Sequence, residues 1–340
     1  MRIKVVIDGV SGTPLSYAIV NDAQMAAMRK HGGFEIRTAA DYAVDKSFDP
    51  HVAYRIKLPL RFDQIAHLPT FVFVTCEAGF GPEAATALKK GCRNKAVEII
   101  VPSTFARDIL LRFGAEPEKV FIVPHGVDTA VFRPSPVAVR ENCFTYLHVS
   151  TLEHRKGTDI LLRAFAHVAE RRDVRLILKG VDQLYPSRRL AAHWITTLNQ
   201  AERRAVEGKI RYIGETLTSH QMADLYRSAD CLVQPYRAES FCLPALEGLA
   251  CGLPVLCTGG GPTDGFIEGQ IAHKIEARLV PFGADGQQMI FEPDPANLAA
   301  LMIDEYEMAP RRKHQVEGAV RCLGWDDVAV QLYDLFARHV

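Results

Sequence analysis

Two glutamates, Glu239 and Glu247, bracket the run Ser240-Phe241-Cys242-Leu243-Pro244. Pro244 suits the first turn of a helix, Gly252 its C-terminal cap and Pro254 its stop. That punctuation predicts Glu239 in the loop before a helix and Glu247 within its first turn or so. Carboxylates accept protons from hydroxyl groups, and the free N–H groups of a helix start hold anions, so the segment suits a phosphorylated sugar. A plainer reading stands beside this one: Glu247 complements the helix dipole and Glu239 is a solvated loop residue. Upstream, Arg155-Lys156-Gly157 places two cations together. Departure of a diphosphate builds negative charge that fixed cations or a metal must meet, although a solvated charged turn would carry the same residues.

These residues need elements to hold them. Nearly continuous apolar runs recur at Val5 to Ile7, Phe71 to Cys76, Val97 to Val101, Val120 to Val123, Tyr146 to Val149, Leu176 to Leu178, Cys231 to Val233 and Pro254 to Cys257. Strands buried on both faces read this way. Helical stretches lie between them, best seen at Ile160, Leu161, Ala164, Phe165 and Val168 behind Thr158 and Asp159 as start signals. The alternation predicts an α/β fold with parallel sheets, whose ligands bind beyond the carboxyl ends of the strands. A boundary is expected at Val127 to Glu141, where Pro134 and Pro136 interrupt any apolar period. The expected domains are 1–130 and 140–325, with a last helix over 326–340 free to pack on either.

At 340 residues the chain is long enough for two cores. Forty Lys plus Arg balance forty Asp plus Glu, so the total charge gives no support to nucleic-acid binding. The eight Cys include no C-x-x-C pair and read as reduced, mostly buried thiols. An acid at Asp8 cuts short any signal-peptide core, and no apolar run approaches the roughly 18 residues of a membrane span. A cytoplasmic location is expected, with contact at the inner membrane face left open, and nothing argues for an oligomer. No phosphate loop, strand-linked G-x-G-x-x-G, H-E-x-x-H or G-x-S-x-G occurs, which weighs against kinase, dehydrogenase, zinc peptidase and serine hydrolase readings. The basic clusters at Arg171, Arg188, Arg203 and Arg311 read as solvated helix faces, and His125, His148 and His154 as structural.

Glu239 and Glu247, in the E-x7-E pattern that runs into Ala245-Leu246-Glu247-Gly248-Leu249-Ala250-Cys251-Gly252-Leu253-Pro254, closely resemble the donor segment of retaining GT-B glycosyltransferases of family 4. Val123-Pro124-His125-Gly126-Val127-Asp128 resembles that family's exit from its first domain, and Arg155-Lys156-Gly157-Thr158-Asp159 its R-K-G stretch. The resemblance is dense from about residue 100 to 260 and weak before about 95. It implies two Rossmann-like domains facing across a cleft and transfer of a hexose-type sugar from a nucleoside diphosphate to a hydroxyl of a saccharide or glycolipid, with retention. Glu247 would bind the ribose hydroxyls and Glu239 those of the donor sugar. The backbone N–H groups of Phe241, Cys242 and Leu243 would meet sugar and diphosphate, and Arg155 and Lys156 would neutralise the latter. No D-x-D triplet occurs, which suits a mechanism without metal or other cofactor.

The chain departs from the family pattern in several places. Ser150 and Thr151 stand near the usual Arg, and Ser240 and Cys242 where Gly is common. The glycine-rich loop after the first strand is reduced to Gly9-Val10-Ser11-Gly12-Thr13, with Ser11 and Gly12 expected at the donor. Glu77 occupies roughly the place of the family's first-domain His, where it could serve the sugar or simply favour the start of the helix Glu83 to Lys90. The alternatives are a nucleotide-sugar epimerase or hydrolase on the same fold, and a nucleotide-sugar binding protein without turnover.

Overall fold

The computed structural model describes residues 2–45, 47–135, 143–268, 271–283, 286–312 and 322–340. Pro136 and the following residues to Glu141, part of the expected boundary, lie outside the described residues. Contacts divide the chain into Met1–Gly126 with Leu323–Val340, and Val127–Cys322. The first unit therefore ends a few residues before the expected position 130, and its second crossing falls at Leu323.

The first unit holds a parallel sheet of β1 (Ile3–Gly9), β2 (Phe34–Thr38), β3 (Val52–Ile56), β4 (Thr70–Phe73), β5 (Val97–Val101) and β6 (Val120–Ile122), in the order β2-β1-β3-β4-β5-β6. Val5, Val6 and Phe71 are essentially inaccessible, as continuous apolar strands between two helical layers must be. The run Phe71 to Cys76 is strand only to Phe73, so Glu77 stands four residues beyond it. The second unit holds β7 (Phe144–Val149), β8 (Val174–Lys179), β9 (Ile210–Ile213), β10 (Cys231–Gln234), β11 (Val255–Thr258) and β12 (Ala272–Ile275), in the order β12-β11-β10-β7-β8-β9. An antiparallel hairpin, β13 (Ala277–Phe282) with β14 (Gln288–Pro293), follows β12 and departs from the all-parallel expectation.

In open parallel sheets a crevice forms where successive connections leave on opposite sides. In the first sheet β1 is flanked by β2 and β3, so the crevice lies between the carboxyl ends of β1 and β3. In the second, β7 is flanked by β8 and β10, and the crevice lies between β7 and β10. Among the described residues no helix is long and apolar enough to cross a membrane.

The helix Trp325–Phe336 belongs to the first unit, where it buries Val328, Ala329, Leu332, Leu335 and Phe336. Phe336 meets the rings of Phe71 at 4.6 Å, Tyr54 at 5.6 Å and Phe34 at 6.4 Å. Gly126 lies beside the returning chain, since a Cβ there would stand 2.6 Å from the backbone nitrogen of Trp325. Phe336→Ala should cost about 3–5 kcal/mol, the scale for a fully buried aromatic ring. The check is urea unfolding followed by circular dichroism, in which the transition that includes the first unit should move to lower denaturant.

Candidate active site

The residues picked out at 155–156 and 239–247 converge at the crevice between β7 and β10. After β7 the chain makes a short turn, His154–Lys156, closed by Gly157 in the left-handed region at φ 69°. A Cβ on Gly157 would lie 1.8 Å from the carbonyl oxygen of Pro235, so the turn can approach the loop after β10 only with glycine here. The backbone N–H groups of Arg237 and Ala238 both donate to the carbonyl of Arg155, at 2.7 and 3.2 Å.

Arg237 completes that junction. Its guanidinium, buried with the residue 4% exposed, donates to Asp159 Oδ1 and Oδ2 at 2.6 and 2.9 Å, and to both carboxylate oxygens of Glu292 at 3.0 Å. A further bond at 3.0 Å reaches the carbonyl of His154. Asp159, expected as a helix start signal, stands in the first turn of the helix Thr158–Ala169 and also pairs with Arg237. Burial pushes its carboxyl up, and Arg237 outweighs this to hold it below the usual range.

The turn and the loop are thereby fixed with Lys156 Nζ on Glu239 Oε1, both side chains 12% exposed. Burial raises the Glu239 carboxyl, but Lys156 and then Arg155 outweigh it, so Glu239 stays ionised. Arg155 Nε lies 3.4 Å from Glu153 Oε2, which also accepts from Thr151 Oγ1 at 2.8 Å. Ser150 serves the frame: its Oγ lies 2.8 Å from His148 Nε2 and accepts from Leu152 N at 3.0 Å. The Val233 carbonyl lies 2.7 Å from His148 Nδ1, which assigns the proton to that nitrogen. Burial pushes His148 down to about 4, so it is neutral and structural.

The helix Leu243–Ala250 starts from Cys242, a buried non-glycine residue in the left-handed region at φ 73°. Such a conformation costs about 1–2 kcal/mol for a side chain with Cβ and persists where the surroundings impose it. Burial, and after it the charge of Glu239, hold its thiol protonated. Phe241 stacks on Phe266 at 4.9 Å. Glu247 is the fifth helical residue rather than part of the first turn, so the dipole reading of this side chain loses its basis. Its Oε2 accepts from the fully buried Tyr226 hydroxyl at 2.7 Å. Burial raises its carboxyl to about 7, against the lowering effect of Tyr226, and among the described residues no cation pairs with it. One carboxylate is therefore held charged, and its neighbour sits near neutrality in need of further hydrogen-bond donors. Tyr226 and Arg237 escaped the sequence reading.

The other expected residues belong to the first unit. Gly12 N donates to Asp22 at 2.9 Å, and Ser11 Oγ accepts from Asn21 Nδ2 at 3.1 Å. Glu77 is half-buried, and the next helix begins only at Pro82 with Glu83 in its first turn, so Glu77 does not support that helix start. Its charge helps to raise the Tyr17 hydroxyl, a smaller effect than burial. His125 packs between Phe73 at 5.5 Å and Trp325 at 6.0 Å, and burial pushes it down to about 3. Among the described residues no three His, Cys, Asp or Glu gather as metal ligands.

A carboxyl whose folded value is raised from 4.5 to about 7 favours the folded state fully below 4.5, and that contribution is lost as pH rises through 7. Gln at 247 does not titrate. Glu247→Gln should therefore raise the melting temperature relative to wild type by roughly 2–6 °C more at pH 8 than at pH 4.5, read by scanning calorimetry without ligand.

Residues 134–285 match the family model for Glycosyl transferases group 1. The D-inositol 3-phosphate glycosyltransferase of Thermobispora bispora is 30% identical over 243 residues, 69% of this chain and 54% of that protein. The D-inositol 3-phosphate glycosyltransferase of Kribbella flavida is 34% identical over 233 residues, 65% of this chain and 51% of that protein. The chain spans about half the length of the curated relatives it matches. The crystal structure of HepE from Anabaena in complex with UDP and glucose superposes with a TM-score of 0.71 at 16% identity, over 99% of this chain and 100% of that one. Family model, relatives and fold together support a GT-B glycosyltransferase, and the matched segment is the one that carries Lys156, Glu239 and Glu247.

Proposed function

We propose that the protein is a retaining, family 4 type hexosyltransferase that moves a sugar from a nucleoside diphosphate to a hydroxyl of a saccharide or glycolipid. The observation that carries this reading is the Lys156 to Glu239 ion pair beside the start of the helix Leu243–Ala250, at the crevice of the second sheet. A cation, a carboxylate and the backbone N–H groups at a helix start within one small region answer the three parts of a sugar diphosphate. The fold neighbour that holds UDP and glucose supports the same class of donor.

In this reading Lys156 and Arg155 meet the diphosphate as the bond to the anomeric carbon breaks and negative charge accumulates on the leaving oxygen. The N–H groups of Phe241, Cys242 and Leu243 add fixed dipoles. The acceptor oxygen bonds to the same face of the anomeric carbon, and its proton passes to the leaving phosphate oxygen. Glu239 accepts from sugar hydroxyls and Glu247 from the ribose, with Tyr226 fixing the Glu247 carboxylate. Ser11, Gly12 and Glu77 are proposed as first-unit contributors. The reaction is proposed to run in the cytoplasm, at the membrane face when the acceptor is a lipid.

Glu247→Ala should weaken binding of the bare nucleoside diphosphate in calorimetry, whereas Glu239→Ala should spare that binding and lower turnover. Equal loss of diphosphate affinity in both variants would remove the division of roles. Product released with inverted anomeric configuration, read by proton NMR, would remove retention. Nucleotide released without an acceptor would favour a hydrolase.

Lys156→Ala should cost on the order of 100-fold in turnover, the scale of one preorganised transition-state contact. Turnover should survive EDTA, and strict dependence on added magnesium or manganese would defeat the metal-free reading.

A further inference from the structure

A helix packed on a sheet buries an apolar stripe. In the helix Ser16–His31 that stripe includes Tyr17, Asn21 and Gln24, which follow one another at helical spacing and are 7%, 1% and 1% exposed. Each meets a different part of the first sheet. Gln24 Oε1 accepts from the Tyr54 hydroxyl of β3 at 2.9 Å. Asn21 Nδ2 donates to the Val10 carbonyl at 2.8 Å and to Ser11 Oγ at 3.1 Å, in the loop that leaves β1. The Tyr17 hydroxyl accepts from Thr75 N at 3.2 Å and lies 2.9 Å from Thr75 Oγ1, in the segment between β4 and Glu77.

Stability does not account for this stripe. Among the described residues, Asn21 Oδ1 and Gln24 Nε2 are buried with no hydrogen-bond partner. Apolar side chains of the same shape would leave nothing unpaired, and such a replacement of both partners is close to neutral. Elsewhere on the sheet buried charge is met by its neighbours: Arg55 of β3 donates from Nε to Asp8 of β1 at 3.0 Å, and Lys57 reaches the other Asp8 oxygen. What the stripe supplies is placement. Gln24 fixes the helix against β3, and at about 1.5 Å per residue the rigid helix then sets Asn21 about 4.5 Å and Tyr17 about 10 Å nearer its start. Those two side chains meet the chain leaving the carboxyl ends of β1 and β4, the ends at which open sheets bind ligands. A Cβ on Gly9 would stand 2.6 Å from Asn21 Nδ2, so the end of β1 closes on this amide only as glycine. The Tyr17 ring also packs edge-on against Phe73 at 5.8 Å.

We propose that Tyr17 and Asn21 are positioning residues for transfer, Tyr17 setting the segment that leads into Glu77 and Asn21 the loop of Ser11 and Gly12. The inference rests on the reading of Glu77, Ser11 and Gly12 as first-unit contributors, and it adds two side chains that act only through them.

Tyr17→Phe keeps the ring on Phe73 and removes the hydroxyl, whereas Asn21→Leu keeps the volume and removes both loop bonds. Hydrogen exchange read by mass spectrometry should rise at least about tenfold over 74–78 in the first variant and over 9–13 in the second, with the strand peptide 97–101 unchanged in both. Release of nucleoside diphosphate from UDP-glucose, UDP-N-acetylglucosamine or GDP-mannose, whichever the wild type consumes, should fall about tenfold or more in each. Tyr17→Phe combined with Glu77→Gln should lose no more than the larger single loss. Asn21→Ser should repeat the result if the leucine variant fails to fold. Unchanged exchange in the matched peptide, or release within about twofold of wild type, overturns the assignment of that residue. Additive losses, or a Glu77→Gln variant as active as wild type, overturn the route through Glu77. Consumption of none of the three donors would count against the transferase reading alone, since exchange still decides whether the stripe holds the loops.

Discussion

Arg237 holds the second crevice together. Its side chain ties the loop after β10 to Asp159 on the helix Thr158–Ala169, to Glu292 on β14 and to the carbonyl of His154. An uncompensated buried guanidinium would be prohibitive, so the three elements must sit where its donors are satisfied. The bidentate geometry fixes direction as well as distance. Because its own N–H and that of Ala238 take up the Arg155 carbonyl, the backbone next to Lys156 is held to the backbone next to Glu239. The catalytic pairing proposed here follows from a charge cluster that never needs to touch substrate.

That frame leaves two carboxylates in opposite states. Glu239 is satisfied by Lys156 before any ligand arrives, so under the proposed function a sugar diphosphate would have to offer both partners something better than each other: phosphate for the amine, hydroxyls for the carboxylate. Glu247 has one donor, Tyr226, and no compensating cation among the described residues. In the proposed function a ribose would add donors to the single one from Tyr226. In that reading the first residue would give selectivity, since a ligand with only one of the two functions loses the exchange, and the second would gain hydrogen bonds outright.

Much of this was legible in the chain because it is written in local punctuation. Pro244, Gly252 and Pro254 mark one helix, and Thr158 and Asp159 mark the start of another, so Lys156, Glu239 and Glu247 could be placed by counting. The central strands were visible as apolar runs for the same reason. Arg237 was invisible because its partners lie 78 and 55 residues away in the chain. Strand β3 was missed because Arg55 interrupts Val-Ala-Tyr-Arg-Ile, and a buried arginine looks like a surface residue until Asp8 is seen beside it. Strands β2, β9 and β12 stand at sheet edges, where half the side chains face water and continuous apolarity is not required. Glu77 was expected directly after its strand and stands four residues beyond it, because the strand stops at Phe73, earlier than its apolar run.

The two sheets differ in order yet place charge by one logic. In the second, a lysine following the first strand meets a carboxylate following the strand that opens the other side. In the first, the carboxylate lies on the first strand and the lysine follows the strand opening the other side. Crossover connections diverge at these points and leave strand ends uncovered, so polar side chains can reach water there without breaking a helical layer. An ion pair at such an opening can exchange one partner for a ligand group. The same pair buried mid-sheet would have no such alternative. Topology therefore determines where exchangeable charge can stand, and the residue types at each opening determine which ligand it can take.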